Sequence, residues 1–116
     1  MAVPSPVPFD VSCEDEGEGT RLHLYGELDM ASAPLLMREV ETVARRGAVD
    51  IVLDLSALSF VDVSGLRAIL DAARAARRDG RSLVVANPMP HIVRLLELTA
   101  IDQSLVVRGR PLSSVS

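Results

Sequence analysis

A strand, a polar turn and an amphipathic helix follow one another within residues 51–73, and this order restricts the fold more than any other feature. Ile51, Val52 and Leu53 begin an apolar run typical of a buried strand. Residues 62–65 then read DVSG. Helical spacing follows in the apolar residues Leu66, Ile69, Leu70 and Ala73. A strand that feeds directly into a helix is typical of α/β proteins.

Ser64 lies where this helix is expected to begin. A helix N-terminus has unpaired backbone N–H groups and a partial positive charge, so it accommodates an added anion well. Ser is also among the best N-cap residues, and a Ser ahead of an apolar helical run is most often only a cap. Ser64 is therefore a candidate cap, nucleophile or phosphorylation site, and its position alone leaves all three open.

The length and composition indicate one soluble domain. A chain of 116 residues that is 48% hydrophobic and 24% charged can bury a single core. No apolar run approaches the roughly 20 residues that cross a bilayer, and the first residues lack the basic start of a signal peptide. The single Cys13 allows no internal disulfide, and the net charge of −4 with few aromatic residues disfavours nucleic-acid binding. We expect a cytoplasmic protein.

Periodicity along the chain predicts strands alternating with helices. We expect helices from Ser32, which can cap a first turn containing Pro34, to Gly47, over residues 66–78, and around Ile92 to Thr99. Strands are expected at residues 9–13, 20–25, 50–55, 83–86 and 105–107, with residues 14–19 as a hairpin loop. His23 is expected on the solvent side of its strand. These elements predict an α/β fold with a small mixed β-sheet.

The expected domain spans residues 9–108. Residues 1–8, with three prolines, are expected to form a flexible N-terminal arm, and residues 109–116 a flexible tail.

Catalytic, metal and nucleotide sites are disfavoured by the motifs present. No Gly-x-Ser-x-Gly elbow surrounds Ser64, and neither His23 nor His91 is near it in sequence. Asp29 and Asp62 could meet at one rim of the sheet, yet two carboxylates are too few for a metal site. Neither a Walker sequence nor G-x-G-x-x-G occurs. We therefore expect a protein that is not an enzyme and has no cofactor.

Residues 54–66, with the sequence DLSALSFVDVSGL, resemble the signature of STAS domains, in particular the single-domain anti-sigma-factor antagonists of bacteria. Residues 26–29 (GELD) resemble that family's turn after its second strand, and residues 95–102 its last helix and turn. The resemblance covers about residues 9–107 in the family's order. It implies a small mixed sheet with helices packed largely on one face.

The resemblance implies a function as well. Ser64 matches the serine that a partner kinase phosphorylates, and that kinase is the anti-sigma factor which the unphosphorylated antagonist captures. It also implies a serine phosphatase, and we expect a monomer that binds neither nucleic acid nor membrane. The residues expected to contact the partner are Asp29, Asp62, Val63, Ser64, Gly65 and Arg67. The alternative is a nucleotide- or small-ligand-sensing STAS domain within a larger regulatory or transporter-associated assembly.

Two residues depart from the family pattern. Val63 stands where many members have a second Ser or Thr, which leaves a single hydroxyl in the motif. Ala100 stands where members often have Gly after the last helix; if that position is left-handed, Ala costs roughly 1 kcal/mol of stability.

Overall fold

The computed structural model describes residues 8–17, 19–99 and 105–109. Within them the chain forms five strands and three helices: β1 (Asp10–Glu16), β2 (Gly19–Leu28), α1 (Ala33–Arg45), β3 (Asp50–Val61), α2 (Val63–Arg78), β4 (Ser82–Ala86), α3 (Pro90–Thr99) and β5 (Val106–Arg108). The expected arm and tail, apart from Pro8 and Gly109, and the expectation for Ala100 lie outside the described residues.

The strands form one sheet in the order β1-β2-β3-β4-β5. β1 pairs with β2 in antiparallel orientation, and the remaining neighbours are parallel. The predicted mixed α/β sheet is therefore confirmed. The parallel part places the carboxyl ends of β2, β3 and β4 at one rim, where ligands and partners of α/β proteins usually bind.

A single core lies between the helices and one face of the sheet. Alternate residues of β2 point into it: Leu22 and Leu24 are fully buried, whereas Arg21, His23 and Tyr25 on the opposite face are not. Each helix contributes to the same cluster, as shown by the buried residues Leu36, Val40, Leu66, Ile69, Ile92 and Leu96. The helices thus pack on one face, and His23 lies on the other, as predicted.

Three strands extend further along the chain than expected, and helix α2 begins at Val63, three residues before its expected start. β1 continues through residues 14–16, β2 continues to Leu28, and β3 is twice as long as expected. β3 contains the polar residues Asp54, Ser56 and Ser59, which interrupt the apolar run. Backbone pairing with β2 nevertheless continues to the end of both strands. The pairing register shifts twice, between His23 and Tyr25 and between Gly26 and Glu27. The GELD segment, expected as a turn, therefore lies mostly within β2, and the turn begins at Asp29.

The face of the sheet that the helices leave open carries a buried carboxylate. Asp54 is only 7% exposed. Its Oδ2 accepts hydrogen bonds from Arg21 Nη1 at 2.7 Å and Asn87 Nδ2 at 3.4 Å, and its Oδ1 from the Ser56 N–H at 2.9 Å. Burial raises the pKa of Asp54, but hydrogen bonds from Ser56, Arg21 and Asn87 outweigh it, so the pKa lies below its ordinary value.

Replacing Asp54 by Asn should lower the free energy of unfolding by about 1–3 kcal/mol, because charge-assisted hydrogen bonds are lost in a buried place. Since the pKa is lowered by folding, the carboxylate stabilises the protein above its ordinary pKa of 3.8 and loses this effect as the pH falls further. Urea unfolding at pH 7 and near pH 3 should therefore show a difference between wild type and Asp54→Asn that shrinks in acid. Asp50→Asn, at the exposed start of β3, is the control, and an equal loss in both variants would contradict this role.

Candidate functional site

The candidate site lies at the rim where β2 and β3 end. Leu28 and Val61 are paired as the last residues of these parallel strands, and the Asp62 N–H donates to the Leu28 carbonyl oxygen at 3.2 Å. Asp29 and Asp62 therefore leave the sheet side by side, as the sequence predicted. We define the rim as Asp29 together with residues 62–65.

Asp62, not Ser64, caps helix α2. The Asp62 backbone is extended, and its Oδ1 accepts a hydrogen bond from the Gly65 N–H at 2.8 Å. Val63 and Ser64 are then the first and second helical residues. The interpretation of Ser64 as the cap is wrong because an equally good capping side chain stands two residues earlier.

Gly65 allows the helix to press against the end of β2. A Cβ atom at this position would lie 2.5 Å from the Leu28 carbonyl oxygen and 2.7 Å from Val61 Cγ2. Carbon atoms do not approach backbone oxygens so closely, so only Gly fits without a shift. The sequence motif places a Gly after Ser64, and this contact is the physical reason for it.

Asp29 organises the turn that leads from β2 into α1. Its Oδ1 accepts hydrogen bonds from the N–H groups of Ala31 and Ser32 at 3.0 Å and from Ser32 Oγ at 3.1 Å. Ser32 Oγ also accepts from the Asp29 N–H at 2.9 Å. The backbone N–H and hydroxyl of Ser32 hold the pKa of Asp29 below its ordinary value. Ser32 is the N-cap residue of α1, as predicted, but its side chain accepts no hydrogen bond from a helical N–H.

Both rim carboxylates keep one oxygen without a bond. Asp29 and Asp62 each use Oδ1 for their own turn. Within the described part of the chain, neither Oδ2 has a hydrogen-bond partner. Each carboxylate can therefore hold its turn and still accept a hydrogen bond from another molecule.

The Ser64 hydroxyl is half-buried and faces a groove between α1 and α2. No hydrogen bond to Ser64 Oγ forms among residues 8–17, 19–99 and 105–109. The groove has a volume of about 310 Å³ and is lined by Met30, Ala33, Pro34, Met37, Ser64, Arg67, Ala68 and Asp71. The hydroxyl is thus free to react or to bind.

Large apolar side chains are exposed beside Ser64. Val63 is 56% exposed and Met30 is 76% exposed. Exposed apolar groups that surround a polar centre are common at protein–protein contacts.

The comparison with known protein families identifies the domain. A family model described as "Mlab, STAS domain" matches residues 11–108. The chain belongs to the STAS-domain family.

Two relatives share most of its length. This chain is 26% identical over 102 residues to an anti-sigma-B factor antagonist of Bacillus subtilis strain 168, and the match covers 88% of this chain and 93% of the relative. It is 32% identical over 96 residues to an anti-sigma F factor antagonist of Paenibacillus polymyxa, with 82% of each covered. The solved structure of the anti-sigma factor antagonist SpoIIAA in its unphosphorylated form superposes with a TM-score of 0.69 at 21% identity, covering 84% of this chain and 87% of SpoIIAA.

In this STAS domain the histidines lie apart from the serine. His23 projects from the open face of the sheet towards Glu14, and His91 Nε2 is 2.9 Å from the Ser59 carbonyl oxygen. In the described residues no histidine is hydrogen-bonded to Ser64, and no three His, Cys, Asp or Glu side chains are grouped to hold a metal ion. Over the same residues, no helix combines the length and the apolar character needed to cross a membrane.

The sequence anticipated the residues of the rim and missed the apolar wall of the groove. Asp29, Asp62 and Ser64 were singled out because they stand at predicted strand and helix ends. Met30 and Met37 were not, because a groove between two helices depends on how those helices pack. Met30 lies in the turn before α1 and Met37 lies within the helix, so no helical spacing in the sequence links the two.

Replacing Gly65 by Ala should destabilise this STAS domain by about 1–2 kcal/mol, because the added methyl group collides with the Leu28 carbonyl. This is opposite in sign to the usual effect, since Gly to Ala in a helix normally stabilises by about 1 kcal/mol. Urea unfolding measures it. Ser64→Ala, one residue earlier and without a bond to lose, should stay within about 0.5 kcal/mol of wild type. A Gly65→Ala variant as stable as wild type would refute the close contact.

Proposed function

We propose that this STAS domain is an anti-sigma-factor antagonist switched by phosphorylation at Ser64. Its unphosphorylated form binds an anti-sigma factor that is also a serine kinase, and a sigma factor is thereby freed. Phosphorylation of Ser64 abolishes the binding, and a serine phosphatase restores it. The protein acts in the cytoplasm as a monomeric binding module without catalytic activity.

The relatives support the general role. The proteins of Bacillus subtilis and Paenibacillus polymyxa are both named as antagonists of anti-sigma factors, and each matches more than four fifths of this chain. Matches of 102 and 96 residues within a chain of 116 necessarily include the rim and α2, so the part that would meet the partner is included.

The free hydroxyl of Ser64 is the observation that carries the proposed switch. Ser56 and Ser59 lie within strand β3, and Ser59 Oγ already donates to the Gly26 carbonyl oxygen at 3.0 Å. Ser64 has no such bond among the described residues and stands in the first turn of a helix. A phosphate there is favoured by the helix N-terminus by roughly 0.3–2 kcal/mol.

The proposed partner surface comprises the rim and the adjacent first turns of α2. Val63 supplies exposed apolar area, and the unused Oδ2 atoms of Asp29 and Asp62 can accept bonds from partner cations. Gly65 brings the helix close to β2, and Arg67 lines the groove beside Ser64. Apolar contact at the centre with charges around it is the usual anatomy of such an interface.

Phosphorylation would oppose binding through charge. A phosphoserine adds about −1.5 to −2 charges at neutral pH. Against a partner carboxylate about 6 Å away, two charges at an effective dielectric of ~20 give roughly 5 kcal/mol of repulsion before screening. A third of this value still exceeds the 1.4 kcal/mol that corresponds to a tenfold loss of affinity.

The test uses the anti-sigma factor kinase encoded in the same genome, with ATP and the full chain. Mass spectrometry should find one phosphate, absent from Ser64→Ala and retained in the control variants Ser56→Ala and Ser59→Ala. Substantial phosphate on Ser56 or Ser59 would overturn the assignment.

Calorimetric titration of the same pair then measures the switch. The phosphorylated protein should bind at least ten times more weakly than the unphosphorylated one. The Asp side chain in Ser64→Asp carries one charge instead of nearly two and is shorter than phosphoserine. The loss of affinity in this variant should therefore be smaller. Equal affinity before and after complete phosphorylation would disprove the switch.

A further inference from the structure

We propose that Arg67 binds the phosphate of phosphorylated Ser64 within the same helix. Arg67 would then contact the partner in the unphosphorylated protein and the phosphate in the phosphorylated protein. This inference rests on the proposed phosphorylation at Ser64. It adds an intramolecular partner for the phosphate.

The two residues are neighbours on the helix surface. Ser64 and Arg67 are three residues apart in α2, and residues at this spacing have Cβ atoms about 5–6 Å apart on one face. Both line the groove between α1 and α2. An arginine side chain is long enough to span that separation and reach a phosphate on Ser64.

Arg67 is available for this contact. It is exposed, and it forms no ion pair or hydrogen bond with any side chain in the described part of the chain. Of the eight residues that line the groove, Arg67 is the one cation and Asp71 the one anion. The residues contributed from α1 and the turn before it, among them Met30 and Met37, are uncharged.

Once Ser64 is phosphorylated, two negatively charged groups lie at the start of α2, and a nearby cation would stabilise them. The Asp62 carboxylate already occupies the N-terminus as its cap. A helix N-terminus is equivalent to about half a positive charge, which cannot balance a carboxylate and a phosphate together. Arg67 supplies the missing charge, and its planar guanidinium matches phosphate oxygens with two parallel hydrogen bonds.

The arrangement has a consequence for the switch. In the unphosphorylated protein Arg67 can face an acidic group of the partner across the groove. In the phosphorylated protein it is turned towards its own helix. Phosphorylation then both adds a negative charge and withdraws a positive one from the partner surface.

The test needs neither kinase nor partner. The full chain is produced with phosphoserine incorporated at position 64 during translation, and its phosphate is titrated by ³¹P NMR. A nearby guanidinium favours the doubly charged phosphate, so the titration midpoint of the wild-type background should lie below that of Arg67→Gln by about half a pH unit or more. Arg67→Lys keeps the positive charge but lacks the planar guanidinium, so its phosphate should titrate with a midpoint between those of wild type and Arg67→Gln.

Arg74→Gln is the matched control. It removes the same charge from the exposed side of α2 at a position ten residues, or about 15 Å along the helix axis, from Ser64. Its phosphate should titrate with the wild-type midpoint. Identical midpoints in wild type and Arg67→Gln, or equal shifts in Arg67→Gln and Arg74→Gln, would overturn the proposal. The phosphate is installed without the kinase, so the two proposals are tested separately. If the titration shows no effect of Arg67, the proposed phosphorylation of Ser64 by the kinase is not affected. If the kinase does not phosphorylate Ser64, the titration result for Arg67 still stands.

Discussion

The contact between the start of helix α2 and the end of strand β2 is the constraint on which the rest of the site depends. Gly65 lies so close to the Leu28 carbonyl that no Cβ atom fits between them. The same carbonyl accepts the Asp62 N–H, and Asp62 in turn caps the helix through Gly65. Three short contacts therefore fix the direction of α2 relative to the sheet. The position of Ser64 at the rim follows from them, because it stands between the cap and the glycine.

Because the start of α2 is held in place, phosphorylation of Ser64 can change the charge of the rim without moving the helix. Ser64 adds its phosphate to a helix N-terminus that favours negative charge, so the domain itself gains no reason to rearrange. The exposed Val63 and Met30 surround the serine with apolar surface. A partner that buries this surface must bring its own charges close to the phosphate, where repulsion is strong because water is excluded. The proposed clamp by Arg67 would strengthen the same effect without moving the backbone.

The sequence predicted the parts of the structure that depend on local pattern. The order of strands and helices, the mixed sheet, the buried face of β2 and the meeting of Asp29 with Asp62 all follow from periodicity and from strand ends sharing a rim. The capping residue was misplaced by two positions because Asp and Ser are nearly equal as caps. The length of β3 was missed because continued pairing with β2 overrides Asp54, Ser56 and Ser59. Asp54 itself is buried through Arg21 and Asn87, which are 33 residues away on either side, and no local pattern reveals such a partnership.

The central claim is that phosphorylation changes the charge of the rim and leaves the fold unchanged. A comparison of backbone amide chemical shifts in the full chain, with and without phosphate on Ser64, tests it most directly. The account predicts shifts confined to the rim, the first turns of α2 and the facing wall of the groove. The amides of residues 51–55 and 83–86, at the centre of the sheet, should keep their positions. Widespread shifts through these two strands would contradict it.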